Sequence, residues 1–526
     1  MFAIISFLVL NLVIAGLTWW RSRRVSGEYF LGKRKLTGPL VAVSVLMSNF
    51  STEQLIGLNG DAFSNGATAI AWEAFGAIGM VIFVSIFLPR YYSAGVTTIP
   101  QYVEQRCGRP VRRFMSLLMV LSIVIVGFPF VLYSGTLAMV GMFNLPQLLG
   151  VPSSVALGLT ALALTVVGLA YALPGGMRGV AMSDLYYAII FLVAAILIPI
   201  LGLWALGQGN LFQGLTRLVE ARPEALNPFG GAGQSLPLSA LLTGMIVINL
   251  SAWCANQNSA QKAFAASSLA ESQKGMLMAA AVKLIAPVFF VLPGMIAWVL
   301  FDGTLEHPDM SYAALVHRLL PSWLVGFFAV AVAGATITSV SGLVHSATTL
   351  FEIDLRESRA DPSTGQLTAT GRWFAFAIAL IAVVAVPIIA RQETGFYVLM
   401  KRLNATLTIP VVSVVIPVVL TALAWRPGVV KRVMIIASAT YLFFDLGVRS
   451  ALAEVVQFHW LHSVAVAFAV ATCLLLVSGR KAAVAPPTHS AVVGWRFTGL
   501  ACWALLAGVV ILYSGLWWLS YQARPV

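Results

Sequence analysis

The sequence predicts an all-α polytopic membrane protein of about fourteen transmembrane helices, with a broken helix leading each half of an inverted five-plus-five repeat. Three observations carry this. The 526 residues are 59% hydrophobic and 10% charged, with a mean hydropathy of +0.90, where a soluble chain carries about 25% charged residues. Apolar windows of membrane-spanning length recur along the whole chain. Two of those windows are interrupted by runs of hydrogen-bonding side chains at corresponding places.

Hydropathy places crossings near 2–20, 37–58, 66–89, 114–141, 152–173, 180–206, 238–259, 275–300, 324–350, 372–391, 396–425, 433–452, 458–478 and 497–517. The first is not read as a cleaved signal peptide, because its basic cluster follows the apolar stretch instead of preceding it. With the N-terminus outside, 23 of the 32 basic residues, Lys262 among them, fall in inner segments, six in outer segments and three inside crossings. That asymmetry is topological, and it sets both termini outside in a plasma (inner) membrane. The cationic residues form no single patch, so the net charge of +13 does not indicate nucleic acid. Cys107, Cys254, Cys473 and Cys502 are too scattered for a disulfide framework or a metal site. The expected division is 1–36, a peripheral helix and basic segment; 37–206, the first repeat; 207–237, an outer loop; 238–426, the second repeat; and 427–526, three peripheral helices.

The first interruption is Ser48-Asn49-Phe50-Ser51-Thr52-Glu53-Gln54, and the second runs from Ile248 to Asn258 with Asn249, Ser251, Asn256 and Gln257. Polar, irregular backbone survives at membrane depth where it lines a protein-enclosed cavity. Five crossings separate the two, an odd number, so the second helix enters from the opposite face. Intramembrane ionisable groups cost about 2.5–3.5 kcal/mol each on insertion scales, and this chain places Glu53, Glu73, Asp184, Lys283, Lys401 and Arg402 there. Such a cavity could grip hydroxyls; a pump or channel could use the same groups, so composition says only that the protein is transport-like. In the ninth crossing Thr338 and Ser339 follow Ala335 by three and four residues, which puts their hydroxyls on the face of its carbonyl. Hard cations take oxygen ligands, although such hydroxyls also back-bond to their own helix.

The chain resembles the sodium:solute symporter family, and within it the bacterial sodium/glucose-type symporters. The resemblance rests on Tyr29-Phe30-Leu31, the run 48–54 with Ile56-Gly57, Trp72-Glu73, Phe87-Leu88-Pro89-Arg90, Thr98-Ile99-Pro100, Gly175-Gly176-Met177-Arg178, Asn256-Gln257, Lys283-Leu284, Val291-Leu292-Pro293-Gly294 and 346–354. It implies a LeuT-type core working by sodium-driven alternating access. It further implies a sodium site from the carbonyls of Met47, Phe50 and Ala335 with the hydroxyls of Thr338 and Ser339. Asp184 matches a family aspartate linked to sodium on the cytoplasmic side, though a helix N-terminus would favour the same carboxylate. The sugar site would fall on Gln54, Glu73, Asn249 and Lys283; Ser51 and Trp253, in the two polar interruptions, and Arg402 complete the candidate substrate residues.

Three positions depart from that pattern. Gly76 stands where the family's sugar transporters tend to carry Ser, Ala252 where an aromatic stacks on the sugar, and Arg402, beside Lys401, where a Gln stands. These departures point to a larger or anionic substrate such as a uronate; alternatively Arg402 pairs with a protein carboxylate, Glu73 or Glu53 being candidates, or snorkels toward the outer face. The expected function is therefore sodium-coupled import of a sugar or sugar derivative, with an amino acid or small organic acid as the alternative. The expected partners are a small-molecule substrate, Na⁺ as co-transported ion and the lipid bilayer, with no organic cofactor, nucleic acid or obligate protein partner. An enzyme or sensor would need a nucleophile–base pair or a soluble output domain, and the sequence shows neither.

Overall fold

The computed structural model describes residues 2–22, 29–231, 235–305, 307–356, 367–391, 396–449, 458–481 and 493–523. Among these the protein is nearly all helical; the exception is a two-residue antiparallel pairing of Leu423–Ala424 with Arg480–Lys481. Eight helices are long and apolar enough to cross a membrane, or ten if two bent pairs each count as one span. The end of the predicted crossing 433–452 lies outside the described residues.

Both predicted interruptions are breaks in the backbone. Helix Gly38–Asn49 stops at Phe50 (φ −76°, ψ 58°), Ser51 is extended, and a new helix runs Thr52–Asn65. Ser, Asn and Thr side chains compete with the helix for backbone hydrogen bonds, so a run of them is where a helix breaks most cheaply. The second pair, Leu238–Cys254 and Gln257–Phe264, bends by 44°. There Asn256 caps the new helix, its side-chain oxygen accepting from the Asn258 and Ser259 amides at 2.9 and 3.4 Å. A third bend of 45° separates Leu269–Ile285 from Pro287–Leu300, where Pro287 cannot donate to the preceding turn.

The predicted crossings 152–173 and 180–206 form one helical run, Ser153–Leu206, turned at Gly176 (φ 52°, ψ −153°). Only glycine adopts that conformation without strain, and a Cβ there would stand 2.7 Å from the Tyr29 carbonyl oxygen. Helix Ser322–Leu350 is the buried centre. Its small residues let neighbours approach its backbone closely: a Cβ on Gly334 would lie 2.2 Å from the Tyr187 ring. Outer helices Ala369–Ile389 and Thr498–Gln522 instead expose Trp373, Leu380, Val384, Trp503, Val510 and Ile511, the apolar surface that lipid requires. The predicted outer loop 207–237 holds a surface helix, Leu211–Ala221.

Candidate functional site

The break at Phe50–Ser51 and the central helix 322–350 meet at a set of oxygens. Phe50 N–H turns back to Leu46 at 2.6 Å, and the Ser51 carbonyl takes the amides of Gln54 and Leu55 at 3.0 and 3.1 Å. The Met47 carbonyl instead accepts from Thr338 Oγ1 at 3.4 Å and Ser339 Oγ at 3.5 Å. Thr338 Oγ1 also reaches the Ala335 carbonyl at 3.2 Å. Met47, Phe50, Ala335, Thr338 and Ser339 are all buried. Hydroxyls and carbonyls with no carboxylate among them make a neutral oxygen cluster, a donor set that suits Na⁺. The bonds within it are long, so little is lost when a cation replaces them.

Three of the candidate substrate residues converge just past the break. Glu73 Oε1 accepts from Gln54 Nε2, and Glu73 Oε2 holds Lys283 Nζ at 2.7 Å. Lys283 also donates to Asn49 Oδ1 at 2.5 Å. Asn49 is a site residue that no single feature of the sequence singled out, although it lies in the polar run. Lys283 Nζ stands 5.5 Å from the Phe50 ring centre and 5.6 Å from that of Trp253. Gly76 is explained here: a Cβ would come within 2.5 Å of Lys283 Cε and 3.6 Å of Asn249 Oδ1. Asn249 therefore flanks the lysine, while its Nδ2 donates back to Met245 at 3.0 Å. Ser51 Oγ is buried with no hydrogen-bond partner.

Arg402 is not brought to this cluster. Its guanidinium pairs with Asp445 at 2.8 Å, with neither Glu73 nor Glu53, and Asp445 also holds Arg449 at 3.1 Å. Its neighbour Lys401 is the one that turns toward Glu53, at 3.9 Å. Successive helical residues point about 100° apart, so a sequence read without the fold could not choose between them.

Asp184 lies on the N-terminal side of the break, against helix 38–49. Its Oδ2 accepts from Ser44 Oγ and pairs with Lys262 Nζ at 3.2 Å. Lys262, expected among the cytoplasmic cations, is buried and also donates to the Ser44 carbonyl at 2.7 Å and to Ser48 Oγ. Past the break, along helix 52–65, a cavity of about 240 Å³ opens between Gly57, Asp61, Asn65, Ser235, Asp309 and Tyr397. Burial and the nearby Asp61 push the Asp309 carboxyl up to about 6, so it becomes neutral only on the acid side of neutrality.

A family model described as the sodium:solute symporter family matches residues 29–429. The chain belongs to that family. An uncharacterized symporter of Escherichia coli (strain K12), YidK, is 34% identical over 98% of this chain and 90% of its own length. The sodium/glucose cotransporter of Vibrio parahaemolyticus is 28% identical over 84% of each chain. The human sodium/myo-inositol cotransporter is 27% identical over 80% of this chain and 62% of its own length. Among solved structures, a Na⁺-coupled sialic acid symporter in a substrate-bound outward-open state matches 91% of this chain and 99% of that one. Its TM-score is 0.76 at 16% identity. A nucleobase-cation-symport-1 family transporter matches with a TM-score of 0.54 at 13% identity.

The symporter therefore shares its fold with LeuT-type Na⁺ symporters. It is a sodium-coupled solute transporter of the membrane, not an enzyme, with Na⁺ and a small solute as its cargo.

Proposed function

We propose that this symporter imports a neutral sugar or polyol together with Na⁺ by alternating access. One observation carries the reading: the two-residue break at Phe50–Ser51 lies between the Met47–Thr338–Ser339 oxygens and the Gln54–Glu73–Lys283 cluster, with Asn49 at the helix end reaching Lys283. An ion bound on one side of the break fixes the helix end that presents hydroxyl-binding groups on the other. The coupling is thereby local. Asn, Gln, Glu and Lys side chains offer both donors and acceptors, which is what a ring of hydroxyls needs. The names of two relatives, a sodium/glucose and a sodium/myo-inositol cotransporter, support the same class.

The case for a carboxylate on the substrate rested on Arg402. With Arg402 paired to Asp445, this reading takes the solute as neutral. The sodium ligands in this reading are Met47, Phe50, Ala335, Thr338 and Ser339, with Asp184 on the ion's inner route. Ser51, Asn249 and Trp253 line the substrate site with the cluster. The architecture in this reading has fourteen crossings, repeats at 37–206 and 238–426, and both termini outside the inner membrane. The odd spacing of the two breaks supports it.

The test is uptake into proteoliposomes under an imposed Na⁺ gradient, with glucose, myo-inositol, glucuronate and alanine, each repeated in K⁺. Na⁺-dependent uptake of a neutral sugar or polyol is the expected result. Uptake confined to glucuronate or alanine overturns the substrate class, and uptake indifferent to Na⁺ overturns the ion assignment.

A further inference from the structure

The hydrogen bonds of the Glu73 cluster are largely used within the protein, for both Glu73 oxygens are engaged and Lys283 holds two partners. Next to it lies a pair whose capacity is unused. Glu53, the residue before Gln54, faces Lys401 across 3.9 Å, beyond hydrogen-bonding distance. Glu53 Oε2 is buried with no hydrogen-bond partner, a condition that proteins rarely leave unfilled. Lys401 Nζ lies 4.7 Å from the Tyr397 ring centre, a contact that steadies the ammonium without consuming its donors.

These groups close a circuit around the candidate substrate site. Gln54 bonds Glu73; Trp72, beside Glu73, meets the Tyr397 ring edge-on at 5.5 Å; Tyr397 carries Lys401; and Lys401 faces Glu53, which adjoins Gln54. Tyr397 also borders the cavity along helix 52–65, so through it Lys401 stands next to that opening.

We infer that Glu53 and Lys401 form a second hydroxyl-binding pair of the substrate site, bridged by one hydroxyl of a neutral polyol. The hydroxyl donates to Glu53 Oε2, the oxygen left without a partner, and accepts from Lys401 Nζ, which stands 3.9 Å from the other carboxylate oxygen, Oε1. An ionised carboxylate at the same place has no proton to donate to Glu53, so the bridge is made by a hydroxyl and not by an acid group. This rests on the proposed sugar or polyol reading and adds the residues that set its selectivity.

The experiment measures binding of myo-inositol, glucose and glucuronate to the full-length protein in Na⁺, together with Na⁺ binding alone. It uses the wild type, Glu53→Gln, Lys401→Met and the double variant. Each single variant is expected to lose at least about tenfold in affinity for the neutral solute, as hydrogen bonds to charged groups are worth. The double variant should lose no more than about twofold beyond either single, because both side chains act through one hydroxyl. Na⁺ affinity should stay within about twofold throughout. Glu53→Gln keeps the side-chain volume and carries the test alone if Lys401→Met fails to accumulate. A wild type that binds a neutral solute whose affinity neither variant changes makes the pair structural and overturns this inference alone. A wild type that binds only glucuronate, or none of the three, overturns the substrate reading and the inference with it.

Discussion

Two lysine–carboxylate pairs are buried on either side of the first broken helix, and they are built differently. Past the break Lys283 and Glu73 stand 2.7 Å apart, both carboxylate oxygens are engaged, and the ammonium also holds Asn49. Before the break Lys262 and Asp184 stand 3.2 Å apart, and Asp184 Oδ1 has no hydrogen-bond partner. The remaining bonds of Lys262 go to Ser44 and Ser48 of helix 38–49. Swapping a buried ion pair for apolar residues of similar volume is often neutral or stabilising, so stability alone does not explain such pairs. In the proposed alternating-access reading the pair with both carboxylate oxygens engaged is a fixed wall of the binding site. The Lys262 pair ties helix 38–49, helix 153–206 and helix 257–264 together, and its unpartnered Asp184 oxygen leaves it able to exchange contacts, as a gate in that reading requires.

The largest effects should come from breaking either pair by one partner. Lys283→Met and Lys262→Met each strand a buried carboxylate, and each should cost about 3–5 kcal/mol of stability, read as a thermal-shift loss. Neutralising both partners separates the two roles. Glu73→Gln with Lys283→Met should recover stability yet bind no substrate. Asp184→Asn with Lys262→Met should bind Na⁺ and substrate within about twofold of wild type while its uptake rate changes, since the gate and not the site has been altered. Identical binding losses in the two neutral doubles would abolish the distinction.

A smaller effect belongs to the ion. Thr338→Ala and Ser339→Ala each remove one hydroxyl from the cluster around Met47. An under-coordinated cation in a dry site should then bind about 1–3 kcal/mol more weakly, or about five- to 150-fold. A sodium titration of uptake checks this, and an unchanged half-saturating Na⁺ concentration in the double variant would remove both hydroxyls from the site. The Lys283–Glu73 pair itself should be untouched by these variants, so any loss of solute affinity at low Na⁺ should be recovered at saturating Na⁺.

Much of this arrangement was legible in the sequence because membrane burial makes polar residues conspicuous. Both breaks fell where Ser, Asn and Thr interrupt apolar helices, and Glu73 and Lys283 stood out as charges that need a reason at that depth. Partnerships were harder to read. Lys262 lay beyond the predicted end of its crossing at 259, so it counted as cytoplasmic, whereas the second half of the broken helix continues to Phe264 and carries it inward. Hydropathy does place the boundary between the crossings 152–173 and 180–206, and the structure kinks there, at Gly176. Asp354, quoted for its motif, is neither ion nor substrate group: it holds Arg112 at 2.7 Å, Ser116 at 2.8 Å and Thr98 at 3.0 Å. A motif marks what a fold needs, and part of that is anchoring helix ends.

The smallest effect is expected at Arg402, and it is the most discriminating because its neighbour is Lys401. Arg402 bonds Asp445 and is partly exposed, its side chain retaining 24% of its free surface. Arg402→Gln leaves Asp445 with Arg449 at 3.1 Å, so no carboxylate is stranded. The expected cost is about 1 kcal/mol of stability or less, the range of partly solvated ion pairs. Affinities for glucose, myo-inositol and glucuronate should stay within about twofold, since a turn of about 100° per residue aims this side chain at helix 443–448 and away from Glu73. Binding isotherms for the three solutes decide it. If Arg402→Gln weakens glucuronate tenfold and leaves the neutral solutes alone, the guanidinium leaves Asp445 for the substrate during the cycle. The neutral-polyol reading would then give way to an anionic one.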